Sequence, residues 1–313
     1  MAPELAAAYE ECRRIHAAHG RTYYLATALL PPAKRPAVHA LYAFARVADE
    51  LVDGPNAQPA NPSALLTWCE QAMAAVRSAS QPDPAEHPVL AATWHTMRAF
   101  GLEPGLLQEF LDSMVMDLTV SRYATWEDLR VYMRGSAAVI GELMAPLLGA
   151  GGPDALFRAG TLGEAFQLTN FIRDVGEDHD RNRVYLPRAD MARFDVNEDM
   201  IAHAVRTSVP SPQVRSLVAF EVRRAVSLYA AARPGLSMVD ARSKPCLEAA
   251  FTLYKRILSR VIANDFNVFE RRAVVPTWQR LATVGHLAAR AAVSGITAKT
   301  GSWHQSTPTP HRS

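Results

Sequence analysis

Along most of the 313-residue chain apolar residues recur three and four apart, as at Leu65, Leu66, Cys69, Met73 and Val76. That spacing puts them on one face of a helix, and Ala, Leu, Arg and Glu, which dominate the sequence, are good helix formers. Strict alternation bounded by Asn-Gly or Asp-Gly turns is missing, so strands are few at most. Pro and Gly interrupt the pattern at Pro31-Pro32, from Gly54-Pro55 to Pro62, from Gln81 to Pro88, from Gly101 to Pro104, from Gly149 to Pro153, from Pro210 to Pro212 and at Pro234-Gly235. The pieces between these breaks run to roughly 15–30 residues, long for globular helices. No internal repeat is evident, and no linker separates two halves. The pattern predicts an all-α protein: one domain over residues 1–300 with helices around a central space, then a polar, Pro-bearing tail over 301–313 predicted to be disordered.

Composition narrows the class. With 49% hydrophobic and 20% charged residues the chain can fill a core, which excludes a disordered or collagen-like protein. Lys and Arg number 33 and Asp and Glu 31, a net charge of +2, so no nucleic-acid partner is expected. Cys12, Cys69 and Cys246 are odd in number and form no CxxC, against a disulfide scaffold or a Cys zinc site and consistent with a reducing compartment. The start, MAPELAAAYEECRR, has carboxylates where a secretory signal needs positive charge. The apolar stretch from Ser136 to Gly152 is interrupted by Glu142 and Pro146, and no run is long enough to span a membrane. A cytoplasmic location is expected. Val275 to Lys299 is apolar with Arg280, Arg290 and Lys299; packing on the body is the first reading, and peripheral contact with a membrane surface, easing release of a lipid product, is the second.

Two segments carry the chemistry. Asp49 and Asp53 are four apart, so a helix places them one turn apart on one face, with Arg46 three residues before and apolar Leu41, Phe44, Val47, Leu51 and Val52 around them. Asp174 and Asp178 repeat the spacing, and Gln167 and Asn170 extend their stripe backwards, with Arg173 and Glu177 alongside. Like charges one turn apart repel by a few tenths of a kcal/mol on an isolated helix. One such pair is usually a solvated face. Two pairs, each with an arginine and apolar flanks, point to a hard cation. Mg²⁺ takes carboxylate oxygens and shares its remaining positions with water and substrate phosphates. Two facing aspartate pairs would hold a small Mg²⁺ cluster and a diphosphate, with Arg46 and Arg173 donating charge-assisted hydrogen bonds.

The sequence resembles the squalene/phytoene synthase family, class I isoprenoid synthases that join two prenyl diphosphates head to head, from about Tyr9 to about Ala289. The resemblance is carried by residues 20–53, 132–149, 162–187 and 254–275, and is closest in flavour to bacterial phytoene synthases. It implies an all-α, single-domain bundle around a deep apolar cavity. It also implies that Asp49, Asp53, Asp174 and Asp178 bind two or three Mg²⁺ ions with diphosphate, and that Arg46 contacts the diphosphate. By the same resemblance Tyr23 and Tyr42 lie near the first prenyl donor and Tyr132 near the reacting carbons. Gln167 and Asn170 line the site, and Tyr254 and Arg271 reach the diphosphates. Phe44, Val139, Ile140, Leu143, Leu168 and Phe171 flank the motifs and are expected to shield a carbocation from water.

The implied reaction is head-to-head condensation of two geranylgeranyl diphosphates to phytoene through a cyclopropylcarbinyl diphosphate, without NADPH. Two departures keep alternatives open. Gly54-Pro55 follows the first motif where relatives continue with acidic residues, and Glu142 stands where many phytoene synthases have an apolar residue. The alternatives are farnesyl diphosphate as substrate, giving (dehydro)squalene, and prenylation of an aromatic acceptor with Glu142 taking the proton. Oligomeric state is left open. Asp112 and Asp117 read as solvated, His16 and His19 as solvated or capping, and Arg181, Arg183 and Tyr185 as a mobile flap.

Overall fold

The computed structural model describes residues 2–53 and 62–293; the tail at 301–313 lies outside the described residues. Fifteen α-helices account for most of them. The first eight are α1 (Pro3–His19), α2 (Arg21–Thr27), α3 (Arg35–Asp53), α4 (Ser63–Arg77), α5 (Pro88–Phe100), α6 (Pro104–Met116), α7 (Trp126–Met133) and α8 (Val139–Leu147). There follow α9 (Pro153–Arg173), α10 (Val175–Asp180), α11 (Arg188–Arg193), α12 (Glu198–Thr207), α13 (Pro212–Ala232), α14 (Lys244–Ala263) and α15 (Thr277–Val293). A π-helical turn at Arg134–Ala138 joins α7 to α8, and a 3₁₀ turn at Arg233–Ser237 extends α13. Extended pairing among the described residues amounts to one bridge, Arg122 with Val184.

The sequence breaks mark real helix ends. Proline opens α1, α5, α6, α9, α13 and α14, where a missing N–H costs nothing. Gly101 closes α5 at φ 60°, and Gly149, at φ 81°, turns where a Cβ would meet the Asp240 carboxylate at 2.5 Å. Thr125 and Asp128 form a capping box at the start of α7. The longest break without Pro or Gly is at Asp117–Thr125. Asp117–Thr125 leaves the helix because tertiary bonds hold it: Arg122 donates to Glu198 at 2.9 Å and to the Asn182 carbonyl at 2.6 Å.

Two large apolar clusters form the body. One gathers side chains of α7, α9, α13 and α14, including the fully buried Leu129, Leu168, Leu217 and Tyr229. The other gathers α3, α4, α6 and α8, including Phe44, Leu65, Leu107 and Leu143. Tyr23, Phe166 and Leu247 pack against both, and the central cavity lies between the two. This is the all-α bundle around an apolar space that the periodicity predicts.

Candidate active site

The cavity has a volume of about 310 Å³ and is mostly apolar. Its walls come from α3 (Val38, Leu41, Tyr42, Ala45), α8 (Ile140, Gly141, Met144), α9 (Ala155 to Asn170) and α14 (Cys246, Leu247, Ala250), with Tyr23 and Thr27 of α2. Ala155 and Asn170 are fifteen residues apart on α9, so the cavity runs about 22 Å along that helix. Glycine lets the helices close around it. A Cβ at Gly163 would fall 2.3 Å from the Ala137 carbonyl oxygen, and one at Gly141 would fall 2.2 Å from that of Ala159.

The lining stripe of α3 leads to the first acidic pair. One turn beyond Tyr42 stands Arg46, which donates to Asp49 Oδ2 at 2.7 Å and to Glu50 Oε1 at 3.1 Å. Asp49 is half-exposed; the side chain of Asp53 lies outside the described residues. Burial pushes the Tyr42 phenol up to about 12, so it stays protonated, and His16 stacks on its ring at 4.0 Å between centroids.

The lining stripe of α9 leads to the second pair. Asn170 Oδ1 is buried in the cavity wall and has no hydrogen-bond partner among the described residues. Asp174 is the bend between α9 and α10 (φ −104°, ψ 14°), yet the i to i+4 bonds run through it, from the Asp174 N–H to Asn170 O and from the Asp178 N–H to Asp174 O, both 2.8 Å. Two guanidinium groups clasp its carboxylate. Arg173 donates at 2.7 and 2.5 Å, and Arg272 at 2.8 and 2.9 Å, with Glu177 3.3 Å from Arg272. Burial alone would raise the Asp174 pKa; the two arginines outweigh it and hold the carboxyl below the usual range.

An aromatic group ties the two acidic ends together. Tyr254 stacks on Tyr23 at 4.8 Å and lies against Phe166 at 4.5 Å. Tyr254 is buried within electrostatic reach of Arg173, Asp174 and Arg272, while Tyr42 feels Tyr254 together with Arg46, Asp49 and Glu50. The wall stripes of α3 and α9, through Tyr42 and through Gln167 and Asn170, thus each run on to an acidic residue held by arginine.

Other expectations are corrected. Arg271 is exposed, and its neighbour Arg272 makes the contact with Asp174. Phe44, Val139 and Phe171 do not face the cavity. Phe44 packs on Trp68 and Phe110, Val139 is fully buried in the same cluster, and Phe171 stacks on Tyr185 at 4.0 Å. Leu143 and Leu168 are likewise core, and Ile140 is the one flanking residue that reaches the wall, joined there by Phe110, Met144, Leu162 and Phe166. Glu142 turns away to pair with Arg134, which also holds Glu109 at 2.8 Å.

Tyr132 is buried one layer behind the cavity and donates to Asp117 Oδ2 at 2.6 Å. Asp117 is not solvated: its side chain is 6% exposed and 2.7 Å from Arg183. The segment read as a flap is docked, with Val184 N–H on Ser121 O at 3.0 Å and Tyr185 buried. His16 is fully buried, its Nδ1 2.9 Å from Nδ1 of His39. Arg272 adjoins Arg271 in sequence, and the fold distinguishes the two. The Asp117 and His39 contacts link residues whose spacing carries no signal.

Comparison with known proteins agrees with this geometry. Residues 16–279 match the family model described as squalene/phytoene synthase. The chain is 37% identical over 286 residues to a 15-cis-phytoene synthase of Synechocystis sp., covering 88% of this chain and 82% of that protein. A 15-cis-phytoene synthase of Synechococcus elongatus is 34% identical over 301 residues, covering 92% and 95%. Among solved structures, a dehydrosqualene synthase in complex with ligand superposes with a TM-score of 0.82 at 26% identity, covering 93% of this chain and 98% of that one. A squalene synthase from Alicyclobacillus acidocaldarius gives 0.75 at 26% identity, covering 85% and 97%.

Proposed function

The chain belongs to the squalene/phytoene synthase family, and from that premise we propose that it is a magnesium-dependent prenyltransferase that joins two geranylgeranyl diphosphates head to head to give phytoene. The observation that carries the reading is an apolar cavity about 22 Å long with acidic and arginine side chains at one end. An extended chain advances about 1.2 Å per bond, so the 16-carbon main chain of a geranylgeranyl group spans about 18 Å and the 12-carbon chain of a farnesyl group about 13 Å. The longer donor uses the available length. The cyanobacterial relatives carry the phytoene synthase name, which favours the same substrate.

The donor set fits magnesium. Asp49, Asp53, Asp174 and Asp178 offer hard oxygens, and among the described residues no three potential ligands gather tightly enough to hold an ion alone, which leaves positions for diphosphate oxygens and water. The unpartnered Asn170 Oδ1 points the same way: it is a buried acceptor beside the acidic end for which no described residue supplies a donor. Bound magnesium would offset the charge of the departing diphosphate.

The protein's own groups divide the remaining work. Arg46, Arg173 and Arg272 place positive charge and N–H donors where the leaving group gains negative charge. Asp174, held ionised, keeps two of these arginines oriented before substrate arrives. Tyr23, Tyr42 and Tyr254 present protonated, electron-rich rings beside the polar end, where an allylic cation forms. The apolar walls exclude the water that would quench it.

Prenylation of an aromatic acceptor loses its motivating residue, because Glu142 is paired with Arg134 outside the cavity wall. Incubation with geranylgeranyl diphosphate and Mg²⁺ is expected to release diphosphate and give a C40 hydrocarbon. Formation of hydrocarbon only from farnesyl diphosphate, or none from either donor, would overturn the assignment.

A further inference from the structure

An arginine lines the mostly apolar cavity. Among the described residues around it, Arg158 alone carries a full charge. It stands on α9 twelve residues before Asn170, about 18 Å along the helix, and its side chain tilts back toward the helix start. At this far end the charge leaves the cavity. Arg158 Nε donates to Asp154 Oδ1 at 3.1 Å, one turn back, and Nη1 donates to the Ala231 carbonyl at 2.8 Å. The side chain is 28% exposed, with the guanidinium held between these partners and the methylene stem left to line the cavity.

The stem is pinned from both sides. Its bond to Ala231 satisfies a last-turn carbonyl of α13, so the side chain crosses the end of the cavity from α9 to α13. A Cβ at Gly235 would fall 2.8 Å from Arg158 Cβ, so the turn after α13 rests directly on the base of the side chain. Ala150, Ala155, Ala232 and Gly235 line the same end and contribute little bulk of their own.

We propose that the methylene stem of Arg158 is the stop that sets the longest prenyl chain the cavity accepts. The inference rests on the proposed prenyl diphosphate substrate and deepens it. Along α9 the cavity offers about 22 Å, and the 16-carbon main chain of a geranylgeranyl group, about 18 Å, ends short of the stop. The 20-carbon main chain of a C25 prenyl group spans about 23 Å and meets it. Swinging the stem aside would break both hydrogen bonds and part the guanidinium from Asp154. A staple that only joined α9 to α13 would make the same bonds but would not discriminate between donors by length.

The test is binding without turnover. Unreactive thiolodiphosphate analogues of the C20 and C25 donors are titrated into the full chain with Mg²⁺, and the ratio of their dissociation constants is read by calorimetry. Wild type is expected to bind the C20 analogue about tenfold more tightly than the C25 analogue. R158A removes the stem and is expected to bring the two within about threefold. R158M loses the same hydrogen bonds but keeps the bulk, and is expected to retain a preference for C20 of about fivefold or more. A staple role would lower Tm alike in both variants and leave the ratio unmoved in either. Wild type binding both analogues equally overturns the proposal whether or not a variant folds. R158A with the wild-type ratio overturns it too, as does R158M losing the preference as fully as R158A. Hydrocarbon formation is assayed separately. A length limit with no C40 product would keep the stop and discard the head-to-head reading, and C40 product with an unmoved R158A ratio would do the reverse.

Discussion

Arg271 and Arg272 are adjacent, and the structure distinguishes them. Arg272 reaches Asp174 with two N–H donors at 2.8 and 2.9 Å, whereas Arg271 is exposed. A charge-assisted hydrogen bond is worth about 1.5–3 kcal/mol when desolvated. Arg272 is 46% exposed and Arg173 keeps its own two bonds to Asp174, so screening reduces the folding cost of R272A to about 1 kcal/mol, or about 2 °C in Tm. Catalysis is expected to lose more. A preorganised donor aimed at charge that develops in the transition state contributes about 100-fold in rate, so R272A should lower the rate of diphosphate release by that order and R271A by less than about threefold. R272A should also shift the acid limb of stability. Burial pushes the Asp174 pKa up and the arginines push it further down, so the net depressed carboxyl contributes stability that is present above the unfolded pKa of about 4 and is lost as pH falls through the folded value. Removing Arg272 raises that folded value and shrinks the contribution. Loss of activity in R271A with wild-type behaviour in R272A would refute the assignment.

Asp49 and Asp174 are expected to part company in stability. D49N should lower turnover by orders of magnitude with Tm nearly unchanged, since its carboxylate is half-exposed, whereas D174N should lose turnover and also melt several degrees lower because two guanidiniums lose their anion; equal melting points would contradict this. Y132F removes a donor from the buried Asp117 and should cost about 1–3 kcal/mol by urea denaturation, and an unchanged midpoint would show that the 2.6 Å bond contributes nothing. Burial lowers the pKa of His16 to about 3 and of His39 to about 4. The unfolded chain therefore takes up protons first. Stability is complete above about pH 6.5 and falls as pH drops toward those values, a decline that H16F/H39F should flatten in melting curves.

Much of the fold was legible because helix periodicity and Pro/Gly punctuation are local signals. Gly101, Gly149 and the six helix-opening prolines lie at real helix ends. The break at Asp117–Thr125 was not legible, because Arg122 holds it through Glu198 and Asn182, far along the chain. At the site, helical spacing placed Arg46 beside Asp49 and carried the stripe from Gln167 through Asn170 to Asp174. Flanking position was a poor guide to the wall. Phe44 and Phe171 neighbour the motifs in sequence but lie on the side of their helices that faces the core, and Phe110 and Phe166 take the wall positions. Charge partners such as Arg183 for Asp117 depend on which loops meet and have no sequence signature.

At Gly141 and Gly163 two helices meet backbone to backbone, with the Ala159 and Ala137 carbonyls where side chains would stand. The calibre of the tunnel is therefore fixed there by main chain, out of reach of ordinary residue exchange. Divergence toward bulkier or shorter donors has to work through Thr27, Val38 and the other side chains on the facing wall, so the glycine side is the rigid jaw and the α2–α3 side the adjustable one.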